Sequence, residues 1–161
     1  MANQDNYSEK IKDAEKLALQ AMKEIKEVSH GLRPPMLDTL GLAPALRDLF
    51  SEIRRQSDIN IRFFAKNIPQ YFGKELDIAI YRITQEGTNN AIKYAKAKNI
   101  FVNLMLKQET ISLSIEDDGK GFDPDKLIKK QKRGKQLGLI FIRERVAQLN
   151  GEFQIESRKG R

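Results

Sequence analysis

Two consecutive prolines, Pro34 and Pro35, divide this 161-residue chain into parts with different hydrophobic periods, which constrains the fold more than any other feature. Upstream, Ile11, Ala14, Ala18, Ala21, Ile25, Val28 and Leu32 recur at alternating spacings of three and four, a heptad seam rather than an ordinary amphipathic stripe. The expected element is one long helix over residues 8–32. Its alanine-rich seam allows close helix approach and buries little area per residue, so it needs a partner. The prolines stop it, because the ring removes an amide donor and biases the preceding residue away from the helical region.

Downstream the periods alternate. Pro44 suits the first turn of a short helix running to about Gln56. Residues 59–65 have strand character. Residues 75–95 read as a long helix with Leu76, Ile80, Ile83, Gly87, Ala91 and Tyr94 on one face. Asn99–Lys107 and Thr110–Asp117 read as strands joined by a tight turn at Gln108 and Glu109; Ile111, Leu113 and Ile115 alternate cleanly. Residues 123–136 read as an irregular loop. Residues 138–150 return to helix with Gly151 as the C-terminal cap, and 152–157 read as a last strand. The order predicts an α/β sandwich with helices on one sheet face, preceded by the long N-terminal helix.

Composition narrows the chemistry. With no cysteine and one histidine, His30, disulfides and Cys- or His-rich metal sites are excluded. The absence of cysteine fits a reducing, cytoplasmic setting, and no apolar run is long enough for a membrane span or a signal peptide. The net charge of +7 admits nucleic acid, an acidic membrane surface or a polyanionic small ligand as partner. Much of the excess is local: Lys126, Lys129, Lys130, Lys132, Arg133 and Lys135 form one basic run.

Three separated segments give that run a purpose. In QEGTNNAIKYA, Glu86, Asn90 and Lys93 stand at i, i+4 and i+7, a polar strip beside the apolar helix face. Carboxylate, amide oxygen and ammonium in a row suit a hydrated Mg²⁺ with its triphosphate, since magnesium keeps several waters and takes few protein oxygens. A solvated helix face has the same composition. In DDGKGF, Asp117 ends a strand, and Gly119 and Gly121 let backbone turn sharply and approach a ligand. An aspartate there can accept a hydrogen bond from an adenine amino group, although strand-ending turns use the same residues. In QLGLIFIRERV, Gly138 opens a helix whose unpaired amides can hold phosphate oxygens. The basic run before it then serves as a lid over a triphosphate, with Lys135 among its cations.

QEGTNNAIKYA, DDGKGF and QLGLIFIRERVAQLNGEFQIESRKG resemble the asparagine box and the two glycine boxes of the GHKL (Bergerat-fold) ATPase superfamily. More closely, the chain resembles the catalytic half of sensor histidine kinases of the nitrate-sensor and degradation-sensor type. LRPPMLDTLGLAPAL is similar to the segment that follows their dimerisation helices. The resemblance runs from about Ile25 to Gly160 and implies a mixed, mostly antiparallel sheet. It also implies two domains: residues 1–34 as the second dimerisation helix and 35–161 as the ATP-binding catalytic domain.

By resemblance, Asn90 takes the position of the Mg²⁺ ligand. Glu86 takes that of the acidic residue that holds or activates a water near the γ-phosphate. Lys93, Lys135 and Tyr94 take phosphate and nucleotide contacts, Asp117 the adenine position, Gly119 and Gly121 the pocket wall, and Gly138 the second glycine box. Two departures stand. Gln136 occupies a position where glycine is usual, and the chain ends at Gly160 and Arg161 where the family continues into a further strand.

The implied activity is transfer of the ATP γ-phosphoryl group to a histidine of a dimerisation domain. The implied partners are that domain, homodimeric in the parent protein, and a response regulator; membrane attachment comes only through the parent. A gyrase-like or mismatch-repair-like ATPase is the alternative, disfavoured by the heptad helix and the LRPPMLDTLGL linker. A non-enzymatic nucleic-acid-binding module explains the charge and leaves Glu86, Asn90 and both glycine segments idle. Ser29-His30 with Leu32-Arg33 looks like a phosphoacceptor box, yet Pro34 and Pro35 end the helix just beyond it. The remaining span before Asn90 is too short for a second long helix plus the start of the domain. His30 is therefore expected near the end of the second dimerisation helix, with the acceptor helix outside this chain.

Overall fold

The computed structural model describes residues 34–122 and 137–157, which lie in one compact unit, Pro34–Arg161. The expected helix over 8–32, His30, and the 123–136 segment with Lys135 lie outside the described residues.

The prolines expected as a stop begin a helix. Helix α1, Pro35–Thr39, carries Pro35 in its first turn, where the missing amide hydrogen costs no intrahelical bond. Pro34 precedes it with ψ 126°, the extended geometry forced on a residue before proline. Gly41 then takes φ 90°, and helix α2, Leu42–Gln56, follows. Strand β1 is Asn60–Lys66 and helix α3 is Lys74–Asn90, continued by a π-helical turn, Ala91–Ala95. Strands β2, Asn99–Lys107, and β3, Thr110–Asp117, form the hairpin, and helix α4 is Leu137–Gln148.

Among the described residues the sheet has three strands in the order β1-β2-β3. β1 and β2 are parallel, with α3 in the crossover, whereas β2 and β3 are antiparallel. Residues 152–157, expected as a strand, join no ladder. Alternation in that segment supplies a face but not a partner edge. Their recorded tie is the Phe122 amide, which donates to Ser157 Oγ at 2.9 Å.

The core lies between the helices and one sheet face. Leu37, Leu42, Leu46, Leu49 and Phe50 meet Ile61, Ile80, Ile100, Val102 and Leu104. The Phe50 and Phe63 rings lie 5.2 Å apart at 57°, a tilted pair. α3 is buried on more of its circumference than one stripe predicts, since Asp77, Ala79, Tyr81, Arg82, Thr84 and Thr88 are all enclosed. The sheet, α2 and α4 all pack on it. Gly87 lets the helix lie close on the sheet: a Cβ there would lie 2.6 Å from Ile115 Cδ1. At the end of α4, Asn150 rather than Gly151 takes the left-handed conformation, at φ 54°. Gly151 matters for a different reason: its amide returns to Val146 O at 2.9 Å, and a Cβ would lie 3.0 Å from Val146 Cγ1.

Candidate functional site

Glu86 and Asn90 sit one turn apart near the end of α3, both half-buried. The start of α4 lies directly on them. A Cβ at Gly138 would overlap Glu86 Oε1 and lie 3.2 Å from Asn90 Nδ2. Only a glycine allows the helix start to come this close, so residues singled out from two distant sequence segments meet at one point.

The Asn90 amide carries the strongest chemical signal there. Its Nδ2 is buried and has no hydrogen-bond partner among the described residues. A buried amide group left unpaired costs about 1–3 kcal/mol, so a further polar group meeting Asn90 would be stabilising. A half-turn of the amide exchanges donor and acceptor, so the same position can present Oδ1 to a cation. Among the described residues no group of three or more His, Asp or Glu side chains converges. A divalent cation here would rest on Asn90 and on oxygens of its ligand, which is how magnesium is ordinarily held with nucleotides.

Beyond Asn90 the helix unwinds into the π turn. Lys96 caps it at φ 56°, and the Lys96 amide reaches Ala91 O. The Ala97 amide also reaches Ala91 O, at 3.2 Å. Such turns are frequent at functional sites and wind less per residue than an α-helix. Lys93 therefore departs from the straight α-helical strip predicted for it, and it is exposed. Tyr94, expected on the apolar face, is 60% exposed.

The DDGKGF turn is fastened to the end of this π turn. The Lys120 amide donates to Ala95 O at 2.9 Å, and the Gly119 amide donates to Asp117 Oδ1 at 2.8 Å. A Cβ on Gly119 would lie 2.5 Å from Ala95 Cβ and 2.6 Å from Ala95 O, so the buried glycine is a packing requirement. Gly121 takes φ 61°, a left-handed turn suited to glycine. Asp117 is exposed, and one of its oxygens braces the turn while the carboxylate faces solvent.

The neighbouring Asp118 went unnoticed in the sequence. Its carboxylate accepts from the Lys98 amide at 2.7 Å, the Asn99 amide at 2.9 Å and Asn99 Nδ2 at 2.7 Å. The Asn99 backbone amide is the main cause holding its pKa down to about 2, helped by the Asn99 side chain and the Lys98 amide. Asp118 thus clamps the start of β2 to the end of β3. Two adjacent aspartates carry no sequence signal saying which braces and which points outward. Arg82, one turn before Glu86, was also missed; it is buried and donates from Nη1 to Gln85 Oε1 at 2.6 Å. Burial is the main cause lowering its pKa, Tyr81 opposes that shift, and Arg145 on α4 adds to it.

Residues 75–161, just over half of the chain, match the family described as histidine kinase-, DNA gyrase B-, and HSP90-like ATPase. The oxygen sensor histidine kinase NreB of Staphylococcus carnosus is 30% identical over 163 residues, covering 99% of this chain and 45% of that protein. The signal transduction histidine-protein kinase/phosphatase DegS of Bacillus subtilis is 34% identical over 131 residues, covering 80% of this chain and 34% of that protein. The chain thus spans less than half the length of these curated relatives. A histidine kinase domain from the Erythrobacter litoralis EL346 blue-light activated histidine kinase superposes with a TM-score of 0.54 at 20% identity. That match covers 78% of this chain and 64% of the other, and at such identity it is a likeness of fold. The chain therefore belongs to the histidine kinase-, DNA gyrase B-, and HSP90-like ATPase family, as a catalytic domain of the sensor histidine kinase type.

Proposed function

We propose that this unit binds ATP with magnesium along the end of α3 and directs the terminal phosphoryl group to a histidine on a dimerisation helix outside this chain. The observation that carries the reading is the meeting of Glu86, Asn90 and Gly138 around a buried amide nitrogen with no partner among the described residues. Magnesium, when bound, neutralises charge on the phosphate oxygens. Asn90 would hold the metal through its amide oxygen. Glu86 orients a water or the incoming acceptor beside the terminal phosphate. Lys93, exposed on the π turn, supplies a cation, and the exposed Tyr94 ring covers the nucleotide. Asp117 accepts from the adenine amino group through lone pairs that the Gly119 amide leaves open. Gly119 and Gly121 keep that wall clear of side chains, while amides at the start of α4 face the phosphates.

In this reading residues 1–34 are the second dimerisation helix, 35–161 the catalytic domain, and the setting is cytoplasmic. A paired second copy of the parent protein and a response regulator are the partners; nucleic acid is not. Among the described residues no helix is long and apolar enough to cross a membrane.

Titration calorimetry of Asn90→Ala with ATP, with and without Mg²⁺, tests the site. The variant should lose the metal-dependent strengthening and keep metal-free ADP binding within about twofold, since the amide acts through the metal. Retained metal dependence would move the ligand elsewhere.

A further inference from the structure

The sheet has a second face that the nucleotide site does not use. Along β1, β2 and β3 alternate residues point away from the core. The outward set includes Arg62, Phe64 and Lys66 on β1, and Phe101, Asn103, Met105 and Lys107 on β2. Ser112, Ser114 and Glu116 continue it on β3. A solvated sheet face ordinarily carries polar residues. Here Phe64 is 54% exposed, and Phe101 and Met105 are 39% exposed. Pairing of Phe64 with Asn103 sets Phe64 diagonally between Phe101 and Met105, so the three make one contiguous apolar patch.

We propose that this face is a docking surface for an acidic amphipathic helix of a partner protein. Charge selects the occupant. Arg62 pairs across from Phe101 and Lys66 across from Met105, and Lys107 continues the same row of β2. The Arg62 guanidinium already lies over the Phe101 ring at 5.6 Å. Glu116, opposite Phe101, is the single carboxylate of the set. A second copy of the same face would set cations against cations, which disfavours self-association.

A helix also fits the relief. Beside the Phe64, Phe101 and Met105 ridge, Ser112 and Ser114 leave a shallow floor on β3, and helices are the usual cover for a sheet face. Covering the floor strands little polar surface. Asn103 Nδ2 donates to Ser114 Oγ at 3.1 Å, and Ser114 Oγ donates to Glu116 Oε1 at 3.4 Å.

The probe is a fluorescein-labelled helical peptide of about five turns, with leucines along one face and glutamates flanking them, read by anisotropy. Its counterpart carries lysine at every glutamate. The acidic peptide should bind at least about tenfold more tightly than the basic one. Phe64→Ser should weaken it about tenfold, and Arg62→Glu about threefold. ATP affinity should not change in either variant, since both positions lie on the sheet face away from the nucleotide site. Equal binding of the two peptides, no binding of the acidic one, or indifference to Phe64→Ser would overturn the assignment. So would preferential retention on phosphatidylglycerol vesicles, or a concentration-dependent dimer abolished by Phe64→Ser in sedimentation.

Discussion

At Gly119 the chain is tied to the end of the π turn by its own backbone: the Lys120 amide reaches Ala95 O, and Asp117 and Asp118 brace the turn on both sides. At Gly138 the contact with α3 is made to the Glu86 carboxylate and the Asn90 amide, through space where a Cβ would stand. The first glycine is a closure in the framework, and the second is an approach to reactive groups. The difference teaches that one residue type at two walls of one site answers different needs. Substituting the first should damage the fold as well as the site. Substituting the second should damage the site alone.

Gly119→Ala is the strongest test. The added methyl meets Ala95 Cβ and a backbone carbonyl, neither of which can rotate aside. Urea denaturation should show a loss of about 2–3 kcal/mol, together with lost nucleotide binding. Gly138→Ala should change stability by less than about 1 kcal/mol, because the overlapped atom is the far end of the flexible Glu86 side chain, which can rotate away. Calorimetry should nevertheless show ATP affinity reduced about tenfold or more, as Glu86 and Asn90 are displaced. Equal stability losses in the two variants would erase the distinction.

Asp118 sharpens the framework side through pH. Its carboxyl is held at about 2 in the fold against an ordinary 3.8. A depressed carboxylate contributes stability above the higher value, and that contribution is lost as pH falls through the lower one. The melting temperature should therefore drop between about pH 4 and 2, and Asp118→Asn should flatten that part of the curve. An NMR titration placing the Asp118 carboxyl in the usual aspartate range would contradict it. The smallest effect is expected at Lys96, the left-handed residue that ends the π turn at φ 56°. Lys96→Gly should relieve about 0.5 kcal/mol of backbone strain net of its entropy cost, visible as a small rise in urea midpoint. A loss instead would show that the lysine side chain itself supports the turn.

Where the determinants were local, the sequence was legible. Alternation of Ile111, Leu113 and Ile115 placed β3, and Asn99–Lys107 matched β2 at both ends. The candidate residues Glu86, Asn90, Asp117, Gly119 and Gly138 could be named from residue type and spacing set beside the family resemblance. The left-handed residue after α4 was less legible: glycine is the usual choice, yet Asn150 adopts the conformation and leaves Gly151 for close packing on Val146. A proline pair read as a stop also began α1, because the same missing amide is tolerated at a helix start.

By itself the sequence determined where α2, β1, α3, β2, β3 and α4 form and which residue types stand ready for chemistry, because helical and strand periods act over a few neighbouring residues. Tertiary structure alone decided that Gly138 rests on Glu86 and Asn90, that Asp118 rather than Asp117 clamps β2, and that a π turn swings Lys93 and Tyr94 outward. Those outcomes depend on contacts between segments far apart in the chain. Packing the sheet, α2 and α4 around α3 sets them, and no local period encodes where distant backbones will touch.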